Sequence, residues 1–138
     1  MYINSMSQKN TLQEQINSII SIYSDGQIQD ALKRLELLTQ KYPNEAILYN
    51  IMGACFTDMG KLEKAIGSYE IALEINPNYA EAHNNLGNVF RDLNQLDDAI
   101  TSYKTALKHK SDFSEGHNNL GNVYKILGEH KLSIDSFI

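Results

Sequence analysis

Tyr79-Ala-Glu-Ala-His-Asn-Asn-Leu-Gly-Asn-Val-Phe-Arg-Asp-Leu93 returns 34 residues later as Phe113-Ser-Glu-Gly-His-Asn-Asn-Leu-Gly-Asn-Val-Tyr-Lys-Ile-Leu127. Seven consecutive residues, 83–89 and 117–123, are identical in the two copies. Self-similarity at a fixed period of this size marks a stacked-repeat protein, in which each unit buries its apolar face only against a neighbour. This stretch decides the fold before any single propensity is weighed.

Local chemistry on either side agrees with the period. Asn78 with Glu81 predicts a capped start for a helix over 79–93, each side chain satisfying an orphan backbone N–H. Asn94 closes it, asparagine being next to glycine in tolerating the left-handed conformation of a helix end. A second helix covers 95–109. Downstream, Asp112 and Glu115 predict a cap for 113–127, Gly128 closes it, and a last helix begins near 129. Upstream, Asn44 predicts the cap of 45–59, which ends at Met59-Gly60, and 61–75 ends before Pro77. Thr11 and Glu14 form a capping box for a helix whose stripe is Leu12, Ile16, Ile19, Ile20 and Tyr23. It stops at Asp25-Gly26. Its partner, with Ile28, Ala31, Leu32, Leu35 and Leu38 inward, runs to about Tyr42 and is ended by Pro43. Residues 1–10 are polar and aperiodic and are expected to be a flexible lead-in. The array is then 11–138, with repeats 12–45, 46–79, 80–113 and a truncated 114–138.

The pattern resembles the tetratricopeptide repeat family. In the second repeat it is carried by Tyr49, Met52-Gly53, Phe56, Ala65, Tyr69, Ala72 and Pro77. In the third it is carried by His83, Leu86-Gly87, Phe90, Ala99, Tyr103 and Ala106, with Ser111 in place of Pro. The fourth keeps His117, Leu120-Gly121, Tyr124 and Phe137, with Ser133 in place of Ala. The first keeps Ala31 and Pro43 but has Ser18-Ile19 for Leu-Gly. The resemblance implies an all-α, right-handed α-solenoid of helix-turn-helix hairpins, about three and a half repeats in seven to eight antiparallel helices. Mid-helix glycine costs about 1 kcal/mol against alanine, so Gly53, Gly87 and Gly121 are expected where a partner helix comes close, with Ala65 and Ala99 opposite. Phe56, Phe90 and Tyr124 are expected to fill the space between hairpins.

The fourth repeat holds 25 of its 34 positions. An array needs a polar end cap, so Ile134, Phe137 and Ile138 are expected to be poorly covered in a lone chain. Either the chain continues in a longer protein, or a second copy or a partner buries that end.

Composition narrows the function classes. Net charge is −5, with no basic cluster, which argues against general nucleic-acid or anionic-membrane binding. One cysteine, Cys55, excludes an internal disulfide and fits a reducing, cytoplasmic setting. No apolar run reaches the length of a membrane span, and the N-terminus lacks the basic start and apolar run of a signal peptide. There is no nucleotide loop, paired-cysteine motif or nucleophile elbow. His83 and His117 occupy equivalent places about 10 Å apart, too far to share a zinc ion, which needs ligands near 2 Å. No catalytic residue, cofactor or metal site is assigned.

In the tetratricopeptide fold the first helix of each hairpin lines a concave groove. The resemblance places Asn50, Asn84 and Asn118 at one groove register and Asn85 and Asn119 at the next, with Asn17 matching in repeat one. Asn88 and Asn122 fall one turn further on, and Arg91 and Lys125 are the cations near the groove. A side-chain amide both donates and accepts, so such a ladder suits an extended peptide backbone; bonding between neighbouring repeats is the competing use. The family's carboxylate-clamp members place Lys and Arg where this chain has Ile16, Ile47, Asn50, Glu81 and Glu115, which argues against capture of a chaperone C-terminus. The run His-Asn-Asn-Leu-Gly-Asn-Val is similar to repeats in O-linked N-acetylglucosamine transferases and in bacterial repeat proteins joined to a glycosyltransferase or sulfotransferase. The expectation is a protein-binding scaffold with a peptide or protein partner. The alternatives are a substrate-recruiting arm of such a transferase, and a module that self-associates as a homodimer through its uncapped C-terminal repeat.

Overall fold

The computed structural model describes the backbone from Tyr2 to Asp135 and side chains from Thr11 to Lys131. Among these residues the chain forms seven helices in order: α1 (Tyr2–Ser24), α2 (Ile28–Lys41), α3 (Ala46–Asp58), α4 (Leu62–Ile75), α5 (Ala80–Asp92), α6 (Leu96–His109) and α7 (Ser114–Asp135). It is an all-α helical solenoid. Each helix packs on the next, and α1, α3, α5 and α7 also touch in succession, so the first helices of the hairpins stack into one wall.

The three intra-hairpin turns are closed by one device. Gly26, Gly60 and Asn94 take positive φ of 84°, 75° and 60°. In each turn the residue at positive φ donates its N–H back to Tyr23, Thr57 or Arg91, and the residue after it donates to Ile22, Phe56 or Phe90. These paired bonds satisfy the carbonyls that a helix end leaves open.

The helix starts differ from expectation. The positions flanking α3 and α5 are Glu45 and Tyr79, and neither makes a side-chain cap bond. Asn44 and Asn78 fall one residue too early to cap. Within the 76–79 turn it is Asn76 that closes locally, its Oδ1 accepting the Asn78 N–H at 3.2 Å. Helix α1 begins at Tyr2, so Thr11 lies inside it rather than at its start. No Pro or Gly interrupts 2–10, and nothing local stops the helix from extending.

At the other end α7 runs unbroken past Gly128, which lacks the positive φ of the other turns. A turn there gains stability only if the next helix packs back. His130 and Ser133 stand where the earlier hairpins have Ile28 and Ala31, Leu62 and Ala65, or Leu96 and Ala99, which weakens the packing that would reward a turn, and glycine inside a helix costs only about 1 kcal/mol. Ile134, Phe137 and Ile138 lie outside the described side chains.

The glycines are covered by rings rather than by alanines. A Cβ on Gly87 would sit 2.6 Å from the Tyr103 ring, and Gly53 is overlain by Tyr69 in the same way. Both tyrosines are buried, as are Ala65 and Ala99. Nothing approaches Gly121, because among the described residues no helix folds back on α7. For the same reason Tyr124 is 47% exposed, whereas Phe56 and Phe90 pack between hairpins beside Leu86 and Val89. Repeat one is held to α3 by a shared cluster, with Ile16, Ile19 and Leu35 buried against Leu48 and Cys55. Cys55 is a small core residue, and burial pushes its thiol up to about 11.

Candidate functional site

The stacking of α3, α5 and α7 brings four of the amides together in two bonded pairs. Asn85 Nδ2 donates to Asn50 Oδ1 at 3.1 Å. One repeat later Asn119 Nδ2 donates to Asn84 Oδ1 at 3.1 Å. Both bonds span 35 residues, so each joins one register to the other in the adjacent repeat. Asn50 Nδ2 in turn donates to the Tyr79 hydroxyl at 3.3 Å, and Asn88 Oδ1 accepts the Tyr103 hydroxyl at 2.6 Å. In repeat one the equivalent amide is local, Gln13 donating to Asn17.

The candidate residues therefore divide. Asn84 is 1% exposed, with Nδ2 the one buried side-chain atom lacking a partner among the described residues; it belongs to the interior and does not line the surface. Asn50, Asn85, Asn88 and Asn119 are half-buried; Asn85, Asn88 and Asn119 each make one internal bond, and Asn50 makes two. Asn118, Asn122 and Lys125 are exposed. Arg91 Nη2 leans on Asp92 at 3.5 Å, and Lys110 Nζ reaches Glu81 at 3.2 Å. The cationic character expected near Arg91 is thus largely offset by its own neighbour.

The histidines have a role that composition did not disclose. His83 Nε2 donates to the Pro77 carbonyl at 2.9 Å, and His117 Nε2 donates to the Ser111 carbonyl at 2.8 Å. Each pins the turn six residues before it and holds the inter-repeat loop on the helix that follows. The equal spacing of Pro77–His83 and Ser111–His117 was the available signal. His83 also stacks on His109, with ring centroids 5.8 Å apart. Among the described residues no three His, Cys, Asp or Glu side chains are placed to hold a metal ion, and no helix is long and apolar enough to cross a membrane.

A family model described as TPR repeat matches residues 53–93 and 87–128. No curated protein matches the chain. Several solved structures share the fold. The first TPR of Spaghetti (RPAP3) bound to an HSP90 peptide aligns with TM-score 0.79 at 17% identity, over 85% of this chain and 93% of that one. The Sgt2 TPR domain from Aspergillus fumigatus aligns with TM-score 0.81 at 16% identity, over 88% and 82%. MamA aligns with TM-score 0.76 at 22% identity, over 96% and 72%.

Proposed function

This chain belongs to the tetratricopeptide repeat family, and on that premise we propose that it is a protein-interaction scaffold that holds an extended peptide, or such a segment of a partner protein, along the wall formed by α3, α5 and α7. The observation that carries this reading is the repeated amide bond, Asn85 to Asn50 and Asn119 to Asn84. The same contact fixes the amides at one spacing and in one orientation. Asn85 and Asn119 each donate one hydrogen to this bond and keep a second hydrogen and the oxygen for a backbone C=O or N–H. The pair bonds hold the side chains in place before a ligand arrives, which lowers the ordering cost of binding.

The HSP90 peptide in the Spaghetti complex is that protein's ligand. The positions that would clamp a terminal carboxylate carry Ile16, Ile47, Asn50, Glu81 and Glu115 here, so the partner is read as an internal segment held by its backbone. If the chain serves as the recruiting arm of a larger transferase, as the similarity of its His-Asn-Asn-Leu-Gly-Asn-Val run suggests, the same wall does the recruiting.

The test is a peptide selected from a random library against the intact chain and then used in a pulldown. Asn118→Ala combined with Asn122→Ala removes exposed amides without touching the internal pairs. The account expects capture to fall about tenfold while the thermal melt stays put. Equal capture by parent and variant rules against the amide wall.

A further inference from the structure

Repeat one differs from the others at a set of positions that the fold gathers into one place. Between α1 and α2 lies an open cleft of about 310 Å³. Its origin is in the sequence. Gln15 and Ser18 stand where the next repeat has Tyr49 and Met52, so two large fillers are missing. Ile19 stands where that repeat has Gly53, and Leu35 where it has Tyr69. The glycine-on-ring contact that draws α3 onto α4 therefore cannot form, and a branched side chain holds α2 away from α1. Ile19 and Leu38 form an apolar floor.

The rim is as distinctive as the floor. Leu37 borders the cleft and is 65% exposed, more than any other large apolar side chain among the described residues. Arg34 and Lys41 flank it on the same helix. The residues in their places in later repeats are the buried Ser68 and Ser102, and Ile75 and His109. No acidic residue lines the cleft, although the chain carries a net charge of −5. Asp30 meets Arg34 at Nε, at 3.5 Å, and the five-donor guanidinium keeps N–H groups for a second carboxylate. Lys41 sits in the last turn of α2, 5.5 Å above the Tyr42 ring.

We propose that the α1–α2 cleft is a second docking site, which takes an acidic amphipathic helix from a partner protein. Arg34 and Lys41 are seven residues apart, about 10.5 Å along the helix axis. Acidic residues at i and i+7 of a ligand helix have the same separation, and apolar residues at i+3 and i+4 then fall between them, over Leu37 and Leu38. A volume at the low end of ligand pockets holds one or two such anchors rather than a folded surface. Charge complementarity selects an acidic segment over a basic one.

The experiment uses the whole chain and a fluorescent peptide with Glu at i and i+7 and Leu at i+3 and i+4. The expected result is saturable binding that weakens about tenfold in Leu37→Glu, and again in the Arg34→Glu, Lys41→Glu double variant. Both changes fall on exposed positions, and circular dichroism confirms that the fold persists. Ser18→Leu, which restores a filler, removes binding and raises the melting temperature. The Asn118→Ala, Asn122→Ala variant keeps full affinity, which separates this site from the amide wall. Unchanged binding in Leu37→Glu overturns the proposal, as does equal binding of the peptide with Lys in place of Glu. Sedimentation showing a dimer that Leu37→Glu dissociates also overturns it, because the occupant is then a second copy.

Discussion

Glycine under a tyrosine ring marks the two closed hairpins, Gly53 beneath Tyr69 and Gly87 beneath Tyr103, where the open one has Ile19 and Leu35. Gly87 admits the Tyr103 ring to within a distance that a side chain cannot share. Gly87→Ala therefore forces Tyr103 or α6 to move and is expected to lower stability by about 1–3 kcal/mol in a denaturant titration. Gly121 occupies the equivalent place with open space around it. Gly121→Ala is expected to be neutral or to stabilise by up to about 1 kcal/mol, the helix-propensity difference. Equal effects at the two sites would refute the ring-on-glycine account. Burial pushes Tyr69 and Tyr103 up to about 12 from 10.0. The folded chain then keeps these protons over a range where the unfolded chain has lost them. Stability from this source is complete below pH 10 and falls as pH rises from 10 through about 12. Chemical denaturation at several alkaline pH values checks this, and Tyr69→Phe should flatten the decline. The sequence pointed to glycine as a close-approach position, but not to the tyrosine that approaches it. Pairing a glycine with a ring sixteen residues on requires the hairpin to be folded first.

At the scale of the element, turns were legible and helix starts were not. Gly26, Gly60 and Asn94 were named from the residue types that tolerate positive φ, and all three adopt it. A turn of this kind depends on one residue's own conformational freedom, which a sequence displays directly. Helix starts depend on which residue of a short connection is last to leave the extended region, and Asn78 lost that place to Tyr79. Gly128 shows the limit of turn chemistry, since the residue permits a turn without requiring one. Gly60→Ala is expected to cost about 1 kcal/mol because φ there is positive, whereas Gly128→Ala in a helical α7 should cost nothing. Thermal melts of the two variants compare them directly. A cost at residue 128 equal to that at 60 would mean that the chain turns there too.

For the whole molecule, the period of 34 carried the architecture because each repeat buries its apolar face only against its neighbours. The candidate site was legible as a set of residue types but not as a set of roles. The rows of Asn50, Asn84 and Asn118 and of Asn85 and Asn119 could be read off by counting. Which amides were spent internally could not, because a bond such as Asn119 to Asn84 depends on how far successive hairpins are displaced. Asn84 is buried because α7 packs beside it, whereas no described helix stacks beyond α7 to cover Asn118 and Asn122. The α1–α2 cleft escaped notice for a related reason, since a degenerate repeat looks like lost signal until its missing fillers are seen to open a space. The central claim, that the amide wall holds a peptide by its backbone, is tested most directly by following the side-chain amide NMR resonances of the intact chain as a library-selected peptide is added. The account predicts that those of Asn85, Asn118, Asn119 and Asn122 shift together and saturate at one affinity. Saturable binding that leaves these four unmoved and shifts residues of α2, α4 and α6 instead would contradict it.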